Sequence, residues 1–179
     1  MIVVANHCSN LDPVAVGVSF PGKLSYLAKA ELFRNPVLGF FLKVLGAIPV
    51  SRESNQSAGA ALKAFLEILD SGSNVLLFPE GSRSFDGKLQ PLEGGAALIA
   101  MKSGVPVLPA YVAGTYDAMP RGSSGIKPSR ITVTFGEMIY PTELAKGHSS
   151  REARTLMLQR IEESLRSMER EHGGKTDKV

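Results

Sequence analysis

The sequence predicts an α/β fold: a single layered domain with a largely parallel central sheet flanked by helices. Three observations carry that expectation. Short apolar runs bounded by turn residues, such as Ile2 to Ala5, Asn74 to Phe78 and Ile131 to Phe135, have the length and composition of strands. Between them lie segments with helical spacing of apolar residues, the clearest being Gly59 to Leu69 with Leu62, Phe65, Leu66 and Leu69. The two kinds alternate, and a chain of 179 residues is long enough to bury a sizeable core as one domain.

In order, Ile2 to Ala5 is a buried strand that places His7 at or just past its end, where α/β sheets carry their chemistry. Asp12 then falls at the N-cap of a short helix, Pro13 to Phe20, which Pro21-Gly22 terminates. Leu24 to Ala28 is a second strand, followed by Lys29. Asn35 to Leu45 is apolar around nearly its whole circumference apart from Lys43, which fits a buried core helix better than a lipid-touching one. Gly46 to Arg52 forms a short strand ending in an arginine, and the Gly59 to Leu69 helix stops at Ser71-Gly72. Asn74 to Phe78 is halted by Pro79 and opens into the polar loop Glu80 to Ser84.

Gly94 to Lys102 is a helix, and Val105 to Val112 a strand whose Pro106 and Pro109 point to an edge or irregular position. Met119 to Ser129, rich in Gly, Ser, Pro and base, reads as a mobile loop. Ile131 to Phe135 is the final strand. A long helix runs from Ser150 to about Glu171 with Leu158, Ile161, Leu165 and Met168 on one face. The folded domain is therefore expected to span 1–171, with 172–179 as a solvated tail, and His148 and His172 are expected at the surface.

Composition narrows the function. With 44% apolar residues, 21% charged residues and a net charge of +3, the chain is globular and mildly basic, suited to phosphate esters or an anionic membrane surface. It has no tryptophan and no arginine stripe interleaved with aromatics, so nucleic acid is not expected as a partner. The single cysteine, Cys8, excludes an internal disulfide and suits a reducing compartment. It adjoins His7, and neighbours in extended chain face opposite ways, so adjacency does not build a Cys-His pair. No HExxH or paired-cysteine signature marks a metal site, and none is expected. Gly174-Lys175-Thr176 resembles the end of a phosphate loop, but Glu169 stands where the earlier glycine is required. The Met-Ile-Val-Val start has no signal-peptide character, and Pro36 to Val50, broken by Lys43, is shorter than the roughly 20 residues of a membrane span.

Three strand ends carry polar groups of complementary chemistry: His7 with Asp12, Arg52 after Val50, and Glu80 with Arg83 after Pro79. In a parallel sheet those ends converge on one crevice. A carboxylate returning to the imidazole holds one ring nitrogen protonated and leaves the other to take a proton from a bound hydroxyl. Two guanidinium groups suit bidentate phosphate binding.

Asn6-His7-Cys8-Ser9-Asn10-Leu11-Asp12 resembles the NHxxxxD block of the glycerolipid acyltransferase family, the lysophosphatidate acyltransferases and their relatives. Gly46 to Arg52 resembles the second block, and Phe78-Pro79-Glu80-Gly81-Ser82-Arg83-Ser84 the third, with serine where threonine is common. Val105-Pro106-Val107-Leu108-Pro109 is similar to the fourth. All four stand in the family's order between residues 6 and 109. The resemblance implies a glycerol-3-phosphate acyltransferase-like fold, with His7 as general base and Asp12 orienting it, and no acyl-enzyme.

It also implies an acceptor site of Arg52, Glu80, Gly81 and Arg83, the arginines facing a phosphate. Glu80 is alternatively a structural partner for an arginine, and Gly81 simply a turn glycine. Lys29 is a further phosphate contact or a solvated lysine. The reaction implied moves a fatty acyl group from acyl-CoA or acyl carrier protein, with no further cofactor, to lysophosphatidate, giving phosphatidate. Other lysolipids or glycerol-3-phosphate are alternative acceptors. A hydrolase with Ser9 or Cys8 as nucleophile, which lacks the Gly-x-Ser-x-Gly elbow, and a non-catalytic lipid- or phosphate-binding module are the competing classes. The expected location is cytoplasmic and peripheral at the cytoplasmic membrane face, through Pro36 to Val50 and the basic loop with Arg121, Lys127 and Arg130. Family members usually carry a membrane-attached segment ahead of the histidine block, and six residues precede His7 here.

Overall fold

The structure, a computed structural model, describes residues 1–34, 36, 39, 40, 43, 46–50, 56–123 and 125–173. The expected helix at Asn35 to Leu45 lies mostly outside those residues. The strands are β1 (Ile2–Ala5), β2 (Leu24–Lys29), β3 (Ala47–Val50), β4 (Asn74–Leu77), β5 (Val107–Ala113) and β6 (Thr132–Phe135). The helices are α1 (Asp12–Ser19), α2 (Gln56–Asp70), α3 (Gly95–Ser103), α4 (Thr115–Ala118), α5 (Pro141–Leu144) and α6 (Ser150–Gly173), with a 3-10 turn at Ala30–Arg34.

The six strands form one sheet in the order β3-β2-β4-β1-β5-β6. Every pairing is parallel except that of β5 with β6. β1 lies inside the sheet with all four residues fully buried, which is why it reads as an unbroken apolar run. Its side chains alternate between two cores. Ile2 and Val4 join Val75, Leu77, Val107 and the apolar faces of α2, α3 and α6. Val3 and Ala5 join Leu76, Ala110, Val112 and, from α1, Val16.

The crossovers follow from that order. The chain leaves β1 toward β2 and leaves β4 toward β5, in opposite directions along the sheet, so right-handed crossovers place α1 on one face and α3 on the other. β1 and β4 are neighbours, and the crevice opens beyond their C-terminal ends. His7 and Glu80 follow those two ends.

Three expectations are corrected. β5 is not an edge strand, because it sits between β1 and β6. Pro109 is tolerated because its carbonyl, and so its missing N–H, faces Gly136, one residue beyond β6, where the ladder has ended. α1 begins at Asp12 with Leu11 at its cap, and the Asp12 carboxylate is turned back rather than capping the helix. α6 runs to Gly173, so His172 is not in a solvated tail: its Nε2 lies 2.7 Å from Thr134 Oγ1 and its ring stacks on Tyr111 at 5.8 Å. α6 starts at a capping box in which Ser149 Oγ accepts from Glu152 N–H while Glu152 Oε2 accepts from Ser149 N–H at 2.8 Å.

Candidate functional site

Where β1 ends, the chain turns sharply enough for Asp12 to reach back over five residues. Its Oδ2 lies 2.8 Å from His7 Nδ1 and accepts from the amides of Cys8 at 2.7 Å and Ser9 at 2.8 Å. Its Oδ1 accepts from Thr115 Oγ1 at 2.5 Å. The carboxylate is 0% exposed, and four donors offset the cost of burying its charge. A buried carboxylate that accepts from every other neighbour places the proton on His7 Nδ1. Nε2 therefore carries the lone pair, and no described residue bonds to it.

The backbone of His7 is fixed from both sides by the loop after β4. Its N–H donates to Glu80 Oε1 at 2.6 Å, and its carbonyl accepts from Ser84 N–H at 2.7 Å. The ring lies on Phe78, with centroids 4.0 Å apart and an interplanar angle of 21°. The imidazole is thereby held by backbone, carboxylate and aromatic face together.

Glu80 reaches back to the main chain of His7. Its second oxygen accepts from Gln90 N–H at 2.8 Å, so both oxygens serve main-chain amides behind His7, with the residue 7% exposed. In that place it positions the main chain of His7, and no described arginine pairs with it. Burial raises its pKa to about 7 despite the two amide donors, with the Asp12 charge adding to the rise. Gly81 is the turn glycine: its φ is +69°, and a Cβ there would sit 2.5 Å from Glu93 Oε1.

Neither competing nucleophile is presented to a ligand. Burial, with the nearby Asp12 charge, pushes the Cys8 thiol up to about 12, and its sulfur is enclosed by Thr115 and Asp12. Ser9 Oγ donates to Met119 O at 2.7 Å in a fully buried position.

The expected phosphate contacts are placed unevenly. Arg83 is half-buried on the loop that clamps His7, and its guanidinium bonds to no described residue. Lys29 ends β2 at the same C-terminal edge, two strands from β1 and therefore about 10 Å across the sheet. Arg52 lies outside the described residues. An apolar groove of about 430 Å³ runs between α2 and α3 over Leu77, Phe78 and Pro79, with Leu62, Phe65 and Ile99 in its walls. Phe78, which lines this groove, is also the ring on which the imidazole stacks. A second cavity of about 380 Å³, lined by Met1, Phe20 and Asn74, opens at the opposite ends of the strands.

Two residues without an expected role complete the site. Asn6 donates through Nδ2 to Val112 O at 3.0 Å and accepts from Val112 N–H at 2.7 Å, extending the β1–β5 ladder with a side chain. Thr115, fully buried, holds the far oxygen of Asp12. Thr115 follows the end of β5, so the strand-end argument applied to His7 and Glu80 was also a signal for it.

Comparisons with known proteins agree with this architecture. A chloroplastic 1-acyl-sn-glycerol-3-phosphate acyltransferase of Brassica napus is 39% identical over 125 residues, covering 70% of this chain and 36% of that protein. A 1-acyl-sn-glycerol-3-phosphate acyltransferase of Bacillus subtilis is 28% identical over 169 residues, 94% of this chain and 80% of that protein. The crystal structure of the 1-acyl-sn-glycerophosphate acyltransferase PlsC from Thermotoga maritima superposes with a TM-score of 0.75 at 30% identity, covering 94% of this chain and 66% of that one. The chain thus spans 36%, about a third, of the length of the Brassica relative. The family model named Acyltransferase matches residues 1–113, which hold β1 through β5 and every residue around His7 save Thr115 and Met119, and the chain belongs to that family.

Proposed function

We propose that this chain transfers a fatty acyl group from a thioester, acyl-CoA or acyl carrier protein, to the free hydroxyl of 1-acyl-sn-glycerol-3-phosphate, forming phosphatidate. The observation that carries the reading is the His7 Nδ1 to Asp12 Oδ2 distance of 2.8 Å with Nε2 left unbonded among the described residues. That lone pair takes the hydroxyl proton as the oxygen attacks the thioester carbonyl, and Asp12 stabilises the imidazolium that forms. Collapse of the tetrahedral oxyanion breaks the C–S bond, and the departing thiolate receives the proton from Nε2. His7 ends as it began, and no acyl-enzyme is required.

Arg83, with Lys29 and Arg52 as further cations, would hold the acceptor phosphate. The groove that Phe78 lines is apolar and suits an acyl chain. Among the described residues no helix is long and apolar enough to cross a membrane. Peripheral attachment at the cytoplasmic face is supported instead by Phe85, 74% exposed, and Ile126, 67% exposed, beside Arg121, Lys127 and Arg130. The lone buried thiol fits a reducing compartment.

The test is a donor-by-acceptor turnover matrix on purified protein with liposomes, read as thiol release and phosphatidate formation. Lysophosphatidate should give the highest kcat/KM, and His7→Ala should abolish turnover. Full turnover in that variant ends the mechanism, and turnover confined to glycerol-3-phosphate or another lysolipid ends the assignment of the acceptor.

A further inference from the structure

One of the two hydrogen bonds that hold the main chain of His7, the one to Glu80, traces back to the long C-terminal helix. Leu89 is fixed to α6 by three of its parts. Its N–H donates to Glu169 Oε1 at 2.8 Å, its carbonyl accepts from Arg166 Nη1 at 3.2 Å, and its side chain is buried in the core that α6 shares. Arg166 and Glu169 also bond to each other at 3.3 Å, so the two side chains form one clasp around a single residue. The next amide, that of Gln90, donates to Glu80 Oε2, and Glu80 Oε1 receives the His7 N–H.

We infer that Glu169 is a positioning residue for His7, acting through Leu89, Gln90 and Glu80. The inference rests on the reading of His7 as general base. Glu169 touches no reacting atom. It accepts from the Leu89 N–H and from Arg166 Nη1, which also donates to the Leu89 carbonyl; that carbonyl shares its peptide with the Gln90 N–H, so the clasp aims this N–H at Glu80 and keeps the other Glu80 oxygen on the His7 amide. Neighbouring oxygens of one carboxylate move together, so a loosened partner on one side shifts the bond on the other. Small displacements of a proton-transfer group are costly in rate, because the lone pair must line up with the hydroxyl. α6 lies beyond residues 1–113 matched by the family model, so this role is a property of the chain outside the shared blocks.

The test uses the full chain and the variant Glu169→Ala. Amide hydrogen exchange, followed by mass spectrometry on peptides covering 5–12 and 85–92, should quicken in both regions. kcat should fall on the order of tenfold, with KM for donor and acceptor within about twofold. Glu169→Gln keeps one acceptor oxygen for the Leu89 N–H and should recover most of the loss. Arg160→Ala, which removes only a surface pair with Glu163 on the same helix, should change neither readout. In a Glu80→Gln background the Glu169→Ala factor should shrink to less than about twofold, because the route has already been cut.

Faster exchange at 85–92 with none at 5–12 overturns the inference. So do kcat losses of Glu80→Gln and Glu169→Ala that simply multiply. Should the wild-type chain turn over no donor and acceptor, the acyltransferase reading fails, and the exchange at 5–12 still decides whether Glu169 holds the His7 backbone.

Discussion

Asp12→Asn is expected to slow acyl transfer about a thousandfold while leaving the fold and the histidine tautomer in place. The direction of the new amide decides this. Three N–H donors, the amides of Cys8 and Ser9 and His7 Nδ1, converge on Oδ2 at 2.7 to 2.8 Å. An NH₂ group there would oppose all three, so the Asn oxygen must take that place. Its NH₂ then faces Thr115 Oγ1, which has lone pairs to accept it and can send its own proton toward Cys8 Sγ at 3.3 Å. Nδ1 stays protonated, unlike triads in which the Asn amide turns toward the ring. What disappears is the charge facing the imidazolium in the transition state. At an effective dielectric of about 20 and a charge separation of about 4 Å, that attraction is about 4 kcal/mol, or about three decades in rate. Loss of charge from three hydrogen bonds is offset by relief of a buried charge, so stability should fall by only about 1 to 2 kcal/mol. The assay is pre-steady-state thiol release at saturating acceptor, with urea unfolding and imidazole ¹⁵N shifts as companions. A loss under about tenfold would refute the role of the charge, and an inverted tautomer would refute the argument about the amide.

Further outcomes follow from the same site. Cys8→Ala should keep activity within a few-fold, and the native thiol should resist iodoacetamide at pH 8, since its pKa stands near 12; rapid labelling seen by mass spectrometry would contradict the burial. Glu80 holds its proton up to about pH 7 in the fold, against 4.5 for the free group, so it stabilises the protein below that lower value and loses the stabilisation as pH rises to about 7. The change is on the order of 3 kcal/mol, and urea midpoints at pH 5 and 8 should differ less in Glu80→Gln than in wild type. Thr115→Val removes the hydroxyl donor of Asp12 Oδ1, leaving it only the weak Cys8 thiol, and should cost about 1 to 3 kcal/mol in unfolding free energy. Arg83→Ala should raise the acceptor KM more than the donor KM, and an unchanged acceptor KM would remove Arg83 from the site.

The His7–Asp12 pair was legible because its partners lie five residues apart, within reach of one turn. The strand β1 was legible because an unbroken apolar run from Ile2 to Ala5 is what a strand covered on both faces carries. Thr115 and Asn6 were not, since their partners sit more than a hundred residues away and depend on the order of strands. Pro109 was misplaced for a related reason: whether a missing N–H matters depends on what lies opposite, and register fixes that. The hold of Glu80 on His7 was not legible because its partners are main-chain amides, which every sequence contains and none advertises. His172 looked like the start of a tail because Tyr111 and Thr134 come to it only through the sheet.

Asn6 has one further consequence. By lending its carboxamide to both polar atoms of Val112, it lets the main chain depart from the sheet a residue before the seam between the two strands ends. The rung that follows is built from a side chain, so the peptide of the next residue owes nothing to the neighbouring strand and is released to the opposite side, where a buried acid claims it. Gln would overshoot that rung and Asp would lack its donor. One buried amide of the right length thus separates scaffold from reacting loop.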